Sequence, residues 1–240
     1  MNINEFVNEL KNIGIEISDK QLDDLNTYKE FLKEYNSHTN LTTIVEDNEI
    51  YLKHFYDSLT LAKYINLNEV NNMLDIGTGA GFPGMVIKIL FSNIDMYLMD
   101  SNNKKLDFLT QLSEKLKLNN IHMLHIRAEE YAKSNRESFD LVTSRAVAAL
   151  PILSELALPL TKVDGKFIAL KANAQDEIRL SKDIINKLNG NIDLIDEFKL
   201  PNLDDPRTII VISKKGHTSD TYPREYGKIK KDYERMKGNK

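Results

Sequence analysis

The chain has 240 residues, 41% of them hydrophobic, and a formal net charge of −4, proportions of a globular chain long enough to bury a core. It contains no cysteine, which excludes disulfides, thiolate metal centres and a cysteine nucleophile. No apolar run reaches the roughly 18 residues of a transmembrane helix, and the polar start Met1-Asn2-Ile3-Asn4-Glu5 does not resemble a signal peptide, so a cytoplasmic protein is expected.

Residues 3–65 carry helical periodicity and no strand signal. Phe6, Leu10 and Ile13 recur at helical spacing, Gly14 ends that helix, and Ser18 or Asp19 can cap the next. Leu22, Leu25, Tyr28, Phe31, Leu32 and Tyr35 form an apolar stripe expected to pack on the main body. Asn40-Leu41-Thr42-Thr43 breaks the pattern, and Tyr51 to Leu59 resumes it. His54 and Asp57 are three apart and would share a helix face, as a surface pair, a cap or a substrate contact.

The next segment is the most informative. Met73 to Ile76 reads as a short buried strand, Gly77-Thr78-Gly79-Ala80-Gly81 as a glycine-rich turn, and Phe82-Pro83-Gly84 as a helix start. A turn at the C-terminal end of a strand is where open α/β sheets bind ligands. A dinucleotide fingerprint would place its third glycine at position 82, which is Phe82. Asp75 would repel a pyrophosphate but pairs, directly or through water, with a cationic ligand carrying an amino group. S-adenosylmethionine (SAM) is such a ligand, with a sulfonium, an ammonium and no phosphate. The run resembles motif I of the class I SAM-dependent methyltransferases; a nicotinamide site and a plain structural turn are the alternatives. The next predicted strand, 95–100, ends in Asp100, 19 residues after Gly81. At about that spacing a carboxylate accepts both ribose hydroxyls of a nucleoside. Capping the following helix is its competing role.

Further strands are predicted at 121–126, 139–144 and 164–171, and helices at about 84–91, 102–118, 147–160 and 174–188. This alternation implies a mostly parallel, doubly wound sheet. Ile192 to Phe198 and Thr208 to Ile212 read as two strands with no helix between them. His122 and His125 would point to opposite faces of one strand, so no metal site is expected.

Ala128 and Glu129 open a helix after the third strand, where related folds hold the adenine edge; a first-turn glutamate favoured by the helix dipole is the other reading. Arg145 follows the fourth strand, as a candidate for phosphate, guanine O6 or the cofactor side, against a surface ion pair. Lys171 ends the fifth strand on the ligand edge, Arg207 precedes the last strand, and Lys104 and Lys105 follow Asp100. From Ser213 onward nine basic residues face four acidic ones, giving +5 on the tail and −9 on the rest. A basic tail on an acidic body is a handle for phosphate; a solvated terminus is the plainer reading.

The ensemble resembles the bacterial 16S ribosomal RNA guanine-N7 methyltransferase family, also called glucose-inhibited division protein B. The likeness spans nearly the whole chain. It is carried by Asn40-Leu41-Thr42, Lys53-His54-Phe55-Tyr56-Asp57-Ser58, Asp75 to Pro83, Asp100-Ser101, Arg127-Ala128-Glu129, Ser144-Arg145-Ala146-Val147-Ala148, Ala169-Leu170-Lys171 and Tyr222-Pro223-Arg224. The fold it implies is α/β, a Rossmann-like class I SAM-dependent methyltransferase with an antiparallel last strand and an N-terminal helical extension. The implied division is an extension over 1–68, a SAM-binding core over 69–215 and a basic tail over 216–240.

The resemblance implies a SAM site lined by Gly77, Phe82, Ala128, Glu129 and Arg145, with Asp100 and Ser101 at the ribose; Asp75, Gly79 and Gly81 of the glycine run are further cofactor-binding candidates. It implies as substrate one guanine in a decoding-region hairpin of small-subunit RNA, and a monomeric enzyme without a membrane partner. A guanine N7 already has an in-plane lone pair, so no general base is expected and positioning carries the work; Arg145 and Lys171 are the positioning candidates. His54, Lys104, Lys105, Arg145, Lys171, Arg207 and Arg224 are the RNA-binding candidates. Two departures stand out: Tyr35-Asn36 where relatives often have tryptophan before the asparagine, and Lys228-Ile229-Lys230-Lys231 in place of a Pro-containing tail. A small-molecule methyltransferase and a non-catalytic, SAM-responsive RNA-binding assembly factor are the rival readings.

Overall fold

Caps decide where the first helices begin. In the computed structural model, which describes residues 1–238, Asn2 and Glu5 form a reciprocal capping box that starts α1 (Ile3–Asn12). Lys240 of the basic tail lies outside the described residues. Ser18 and Gln21 do the same for α2 (Asp19–Thr39), satisfying amide donors that a helix N-terminus otherwise leaves open. Gly14, at φ +79°, makes the turn between them. Asn40 ends α2 in the left-handed region, at φ 50°, which Asn tolerates better than most residues.

The chain forms two compact units, Met1–His125 with Lys199–Asp204, and Ile126–Phe198 with Asp205–Lys240. After α2 the first unit continues through α3 (Asp47–Glu49), a π-helical segment (Ile50–Tyr56), α4 (Asp57–Leu59) and 3-10 turns at Thr60–Lys63 and Leu67–Glu69. Then follow β1 (Asn72–Ile76), α5 (Gly84–Leu90), β2 (Asp95–Met99), α6 (Asn103–Lys115) and β3 (Ile121–Leu124). The strands run parallel in the order β3-β2-β1, with Asn72 opposite Asp95 and Met96 opposite Ile121.

The apolar stripe packs as its spacing requires: Leu25, Tyr28 and Leu32 are buried with Phe6 and Leu10. The π-helical segment is a departure from the expected regular helix. It places both His54 and Asp57 in the interior, so they do not form a surface pair. Every residue of α5 is buried. Its lysine, Lys88, donates to the carbonyls of Ser92 and Ile94 at 2.7 and 2.6 Å; burial pushes that amine below the ordinary lysine range.

The second unit contains α7 (Ala128–Tyr131), β4 (Phe139–Arg145), α8 (Leu150–Ala157), β5 (Thr161–Lys171), α9 (Gln175–Lys187), β6 (Gly190–Lys199), β7 (Pro206–Lys214) and α10 (Tyr226–Gly238). Its strands follow the order β4-β5-β7-β6. β4 and β5 are parallel; β7 is antiparallel to β5, with Lys166 opposite Ser213. The expected helix at 147–160 begins only at Leu150, because Ala146 at φ 56° turns the chain first. β5 starts earlier than expected, at Thr161, and is irregular around Asp164, at φ 66°. The tail is a helix rather than a solvated terminus, seated through the buried Ile229. Among the described residues no helix is long and apolar enough to cross a membrane.

Candidate active site

The glycine loop after β1 takes its shape from three residues at positive φ: Gly77 at 69°, Gly79 at 61° and Gly81 at 100°. L side chains rarely adopt this region. The loop is pinned to the end of β2. Met99 O accepts the amides of Gly77 and Thr78 at 2.8 and 2.9 Å. Asp100 Oδ2 accepts the Gly79 amide at 3.0 Å, and Asp100 Oδ1 accepts the Asn102 amide at 2.9 Å. Asp100 therefore ties the loop to the start of α6, through Asn102, which caps that helix. The residue that caps α6 is Asn102 rather than Asp100, and each Asp100 carboxylate oxygen keeps a second lone pair.

Gly79 and Gly81 differ in what surrounds them. A Cβ on Gly79 would meet nothing nearer than Gly77 O at 4.0 Å, so the loop has an open face there. A Cβ on Gly81 would lie 2.6 Å from the Tyr28 hydroxyl and 2.8 Å from Leu109, so that side is packed shut. Thr78, between Gly77 and Gly79, is buried and its hydroxyl has no hydrogen-bond partner. An open glycine face, an unmatched buried hydroxyl and a carboxylate with spare acceptor capacity fit a nucleoside ligand without phosphates.

Asp75 is fully buried, and its Oδ2 accepts the Gly84 amide at 2.9 Å. The expected pairing with a cationic ligand gives way to a structural role, in which Asp75 fastens the first amide of α5 to β1. A Cβ on Gly84 would sit 2.4 Å from Leu98 and 2.9 Å from Asp75 Oδ2, which explains the glycine.

Phe82 stacks on two rings from the N-terminal helices, Tyr28 at 5.5 Å and His54 at 4.1 Å between centroids. The Tyr28 hydroxyl donates to Ala80 O. His54 Nε2 and Thr42 Oγ1 lie 2.9 Å apart. His54, expected to meet RNA, is instead buried against the loop. Ser101 is exposed, and its carbonyl lies 3.1 Å from His125 Nε2. Lys105 Nζ stands 3.7 Å from Asp100 Oδ2, whereas Lys104 is exposed on α6. His122 stacks on Tyr97 and pairs with Asp95 at 2.7 Å.

In the second unit, Ala128 is buried at the start of α7, and Glu129 lies 3.9 Å from Arg127. Arg145 is half-buried at the end of β4. Lys171 is not an exposed base: its Nζ donates to Ala148 O at 2.7 Å and pairs with Glu177 Oε2 at 2.8 Å. Arg207 is half-buried at the start of β7. Arg224 likewise departs from its expected RNA contact. Its guanidinium forms a two-point pair with buried Glu155, both bonds 2.8 Å, and a further bond with Asp232 at 2.5 Å. Sequence reasoning misses Tyr28, Thr42, Glu155 and Glu177 as supports. Among the described residues no cluster of three or more histidines and acids could hold a metal.

The model of the family described as rRNA small subunit methyltransferase G matches residues 21–202. Proteins named ribosomal RNA small subunit methyltransferase G from Bacillus licheniformis and Bacillus subtilis are each 47% identical over 230 residues, covering 95% of this chain and 96% of theirs. The one from Streptococcus gordonii is 45% identical over 227 residues, covering 93% and 95%. Solved structures share the fold at low identity. TrmK from M. capricolum, in complex with S-adenosyl-homocysteine, gives a TM-score of 0.52 at 21% identity, covering 68% of this chain and 70% of that one. Thermus thermophilus TrmN gives 0.54 at 16%, covering 65% and 48%. Seven strands, mostly parallel with one antiparallel, and this likeness give the class I SAM-dependent methyltransferase fold. The methyl donor of such an enzyme is SAM. With the glycine loop, the acid after β2 and the family match in agreement, the chain belongs to the rRNA small subunit methyltransferase G family.

Proposed function

We infer that this chain transfers the methyl group of SAM to N7 of one guanine in small-subunit ribosomal RNA. The observation that carries the reading is the pairing of Asp100 with the open glycine loop in a chain of this family. When bound, SAM supplies an activated methyl carbon; the C–S electron pair returns to sulfur as the N7–C bond forms. Guanine N7 loses no proton, so the protein needs no base and works by alignment.

The parts of the chain divide the work. Asp100 accepts the ribose hydroxyls with its remaining lone pairs, and the backbone at Gly77 and Gly79 lies against the ligand. The buried Thr78 hydroxyl finds its partner there. Roles for Ala128, Glu129 and Arg145 toward the cofactor, and for Ser101 at the ribose, follow from the family motifs. Lys171 fixes the turn that follows Arg145 at the end of β4. The helical extension over 1–68 and the tail over 216–240 flank the catalytic core in sequence. Lys104, Lys105, Arg207 and the tail lysines meet RNA phosphates, and the enzyme acts as a monomer in the cytoplasm, where small subunits are.

The test uses small subunits from cells lacking this gene, incubated with the protein and methyl-labelled SAM. Label in 7-methylguanosine after nucleoside digestion supports the reading. Label in another nucleoside, or none despite SAM binding, refutes it.

A further inference from the structure

The geometry points to Tyr28 and His54 as positioning residues of the cofactor loop, so that the N-terminal helices are part of the SAM site. The inference rests on the reading that the glycine loop holds SAM, and goes beyond it by assigning what gives the loop its binding shape.

A loop with three glycines at positive φ has many conformations open to it. Its native shape must be imposed by contacts. From the sheet side these are Met99 O and Asp100 Oδ2. From the helical side they are Tyr28 and His54. Tyr28 is fully buried, wedged against Phe55 at 5.4 Å and Phe108 at 6.3 Å as well as Phe82. Its ring cannot swing, so its hydroxyl is fixed on Ala80 O, the carbonyl between Gly79 and Gly81.

His54 holds the other end of the loop. Its ring lies parallel to Phe82 within 13°. It is steered by Thr42, whose backbone exchanges two 2.9 Å hydrogen bonds with the Asn36 side chain. A line of contacts thus runs from Asn36 through Thr42 and His54 to Phe82. Neither Tyr28 nor His54 is needed to touch the ligand. Each acts by keeping the loop in its binding-competent shape, and apparent affinity falls in proportion to that competent fraction.

The experiment titrates the full chain with SAM by calorimetry and measures steady-state methyl transfer to unmethylated small subunits. The variants are Tyr28→Phe, His54→Ala and His54→Phe, with Gly79→Val as a loop control. Tyr28→Phe keeps the ring and removes one buried bond, so the Kd for SAM rises by about tenfold. The KM for the RNA particle and kcat at saturating SAM stay as in the wild type. His54→Ala weakens SAM in the same way, and His54→Phe, which restores a stacking ring, recovers part of the loss. Wild-type SAM affinity in Tyr28→Phe and His54→Ala, with loss in Gly79→Val, overturns the inference and leaves the loop reading standing. So does a lowered Tm with unchanged SAM affinity, or a raised KM for RNA alone in His54→Ala. A wild-type chain that binds no SAM overturns the loop reading itself, and with it the inference.

Discussion

Lys171 Nζ lies 2.8 Å from Glu177 Oε2, and the same carboxylate oxygen accepts the Leu150 amide at 2.8 Å. Lys171 also donates to Ala148 O, so one ion pair holds the chain where the turn after β4 enters α8. Lys171→Met takes the ammonium away from a carbonyl and a part-buried carboxylate, a loss of about 2–3 kcal/mol. Denaturant unfolding reads that loss. Methyl transfer should fall at least about tenfold, with SAM binding retained. Glu177→Gln should share the defect, read by single-turnover kinetics; a Lys171 that served RNA alone would leave Glu177→Gln fully active.

Arg224 anchors the tail. Its amide and guanidinium hold the carboxylate of Glu155, whose side chain is 1% exposed. Hydrogen bonds with Glu155 and Asp232 raise the guanidinium above its already high ordinary pKa, against the opposing effect of burial. Arg224→Ala leaves a buried carboxylate unpaired, at about 3 kcal/mol. Limited proteolysis should then cut within α10 far faster than in the wild type, and Arg224→Lys should repair this only partly, because an ammonium cannot make the forked pair. Equal cleavage of Arg224→Ala and wild type would remove the anchor role.

On α10, Lys230, Lys231 and Arg235 are exposed while Ile229 is buried. Lys230→Glu with Lys231→Glu should weaken RNA binding across sequences and reduce the log–log salt slope by about 0.7 to 0.9 for each phosphate no longer neutralised. Filter binding between low and moderate salt measures it, and SAM titration should be unchanged. A salt slope equal to that of the wild type would take the tail out of RNA binding.

Glu137 makes stability depend on acid. Burial alone would raise its pKa, but bonds from His217, the Thr218 amide and Lys214 outweigh this and hold it at about 2, against an ordinary 4.5. A carboxyl with a depressed folded value contributes stability above pH 4.5 that is lost as pH falls from there towards 2. The contribution is about 3 kcal/mol at most. It is reduced by Lys214, fully buried at 3.1 Å, whose own pKa burial pulls down. The two shifts oppose each other, and the well-bonded carboxylate sets the sign in acid. Unfolding free energies of wild type and Glu137→Gln at pH 7, 4.5 and 3 should converge in acid; parallel curves would contradict the assignment.

The glycine loop and its acid partner are legible in the sequence because their constraints are local. Glycines at 77, 79 and 81 and an acid at 100 lie at fixed offsets from two strands, and Ser18 with Gln21 announces its helix. The supports are hidden because they are long-range. Tyr28 sits in an apolar stripe at helical spacing, and nothing in that spacing marks a hydroxyl aimed at Ala80, 52 positions away. His54 is misplaced by a regular helical period, which does not describe the π-helical segment. Lys171 reads as an RNA contact because a base at the C-terminal end of a strand lies on the ligand edge, and Arg224 because it belongs to the basic tail. Their partners Glu177 and Glu155 are brought up only by the packing of α9 and α8. The tail helix escapes notice because a single buried residue, Ile229, leaves almost no periodic signal.

The most direct measurement maps the methyl group on RNA. Unmethylated small subunits are treated with protein and SAM, the RNA is reduced with borohydride and cleaved with aniline at 7-methylguanosine, and the fragments are sized. One new cleavage at a single guanine, dependent on both protein and SAM, is the expected result. Methyl incorporation without any such cleavage, or cleavage scattered over many guanines, would contradict N7 transfer to one specific base.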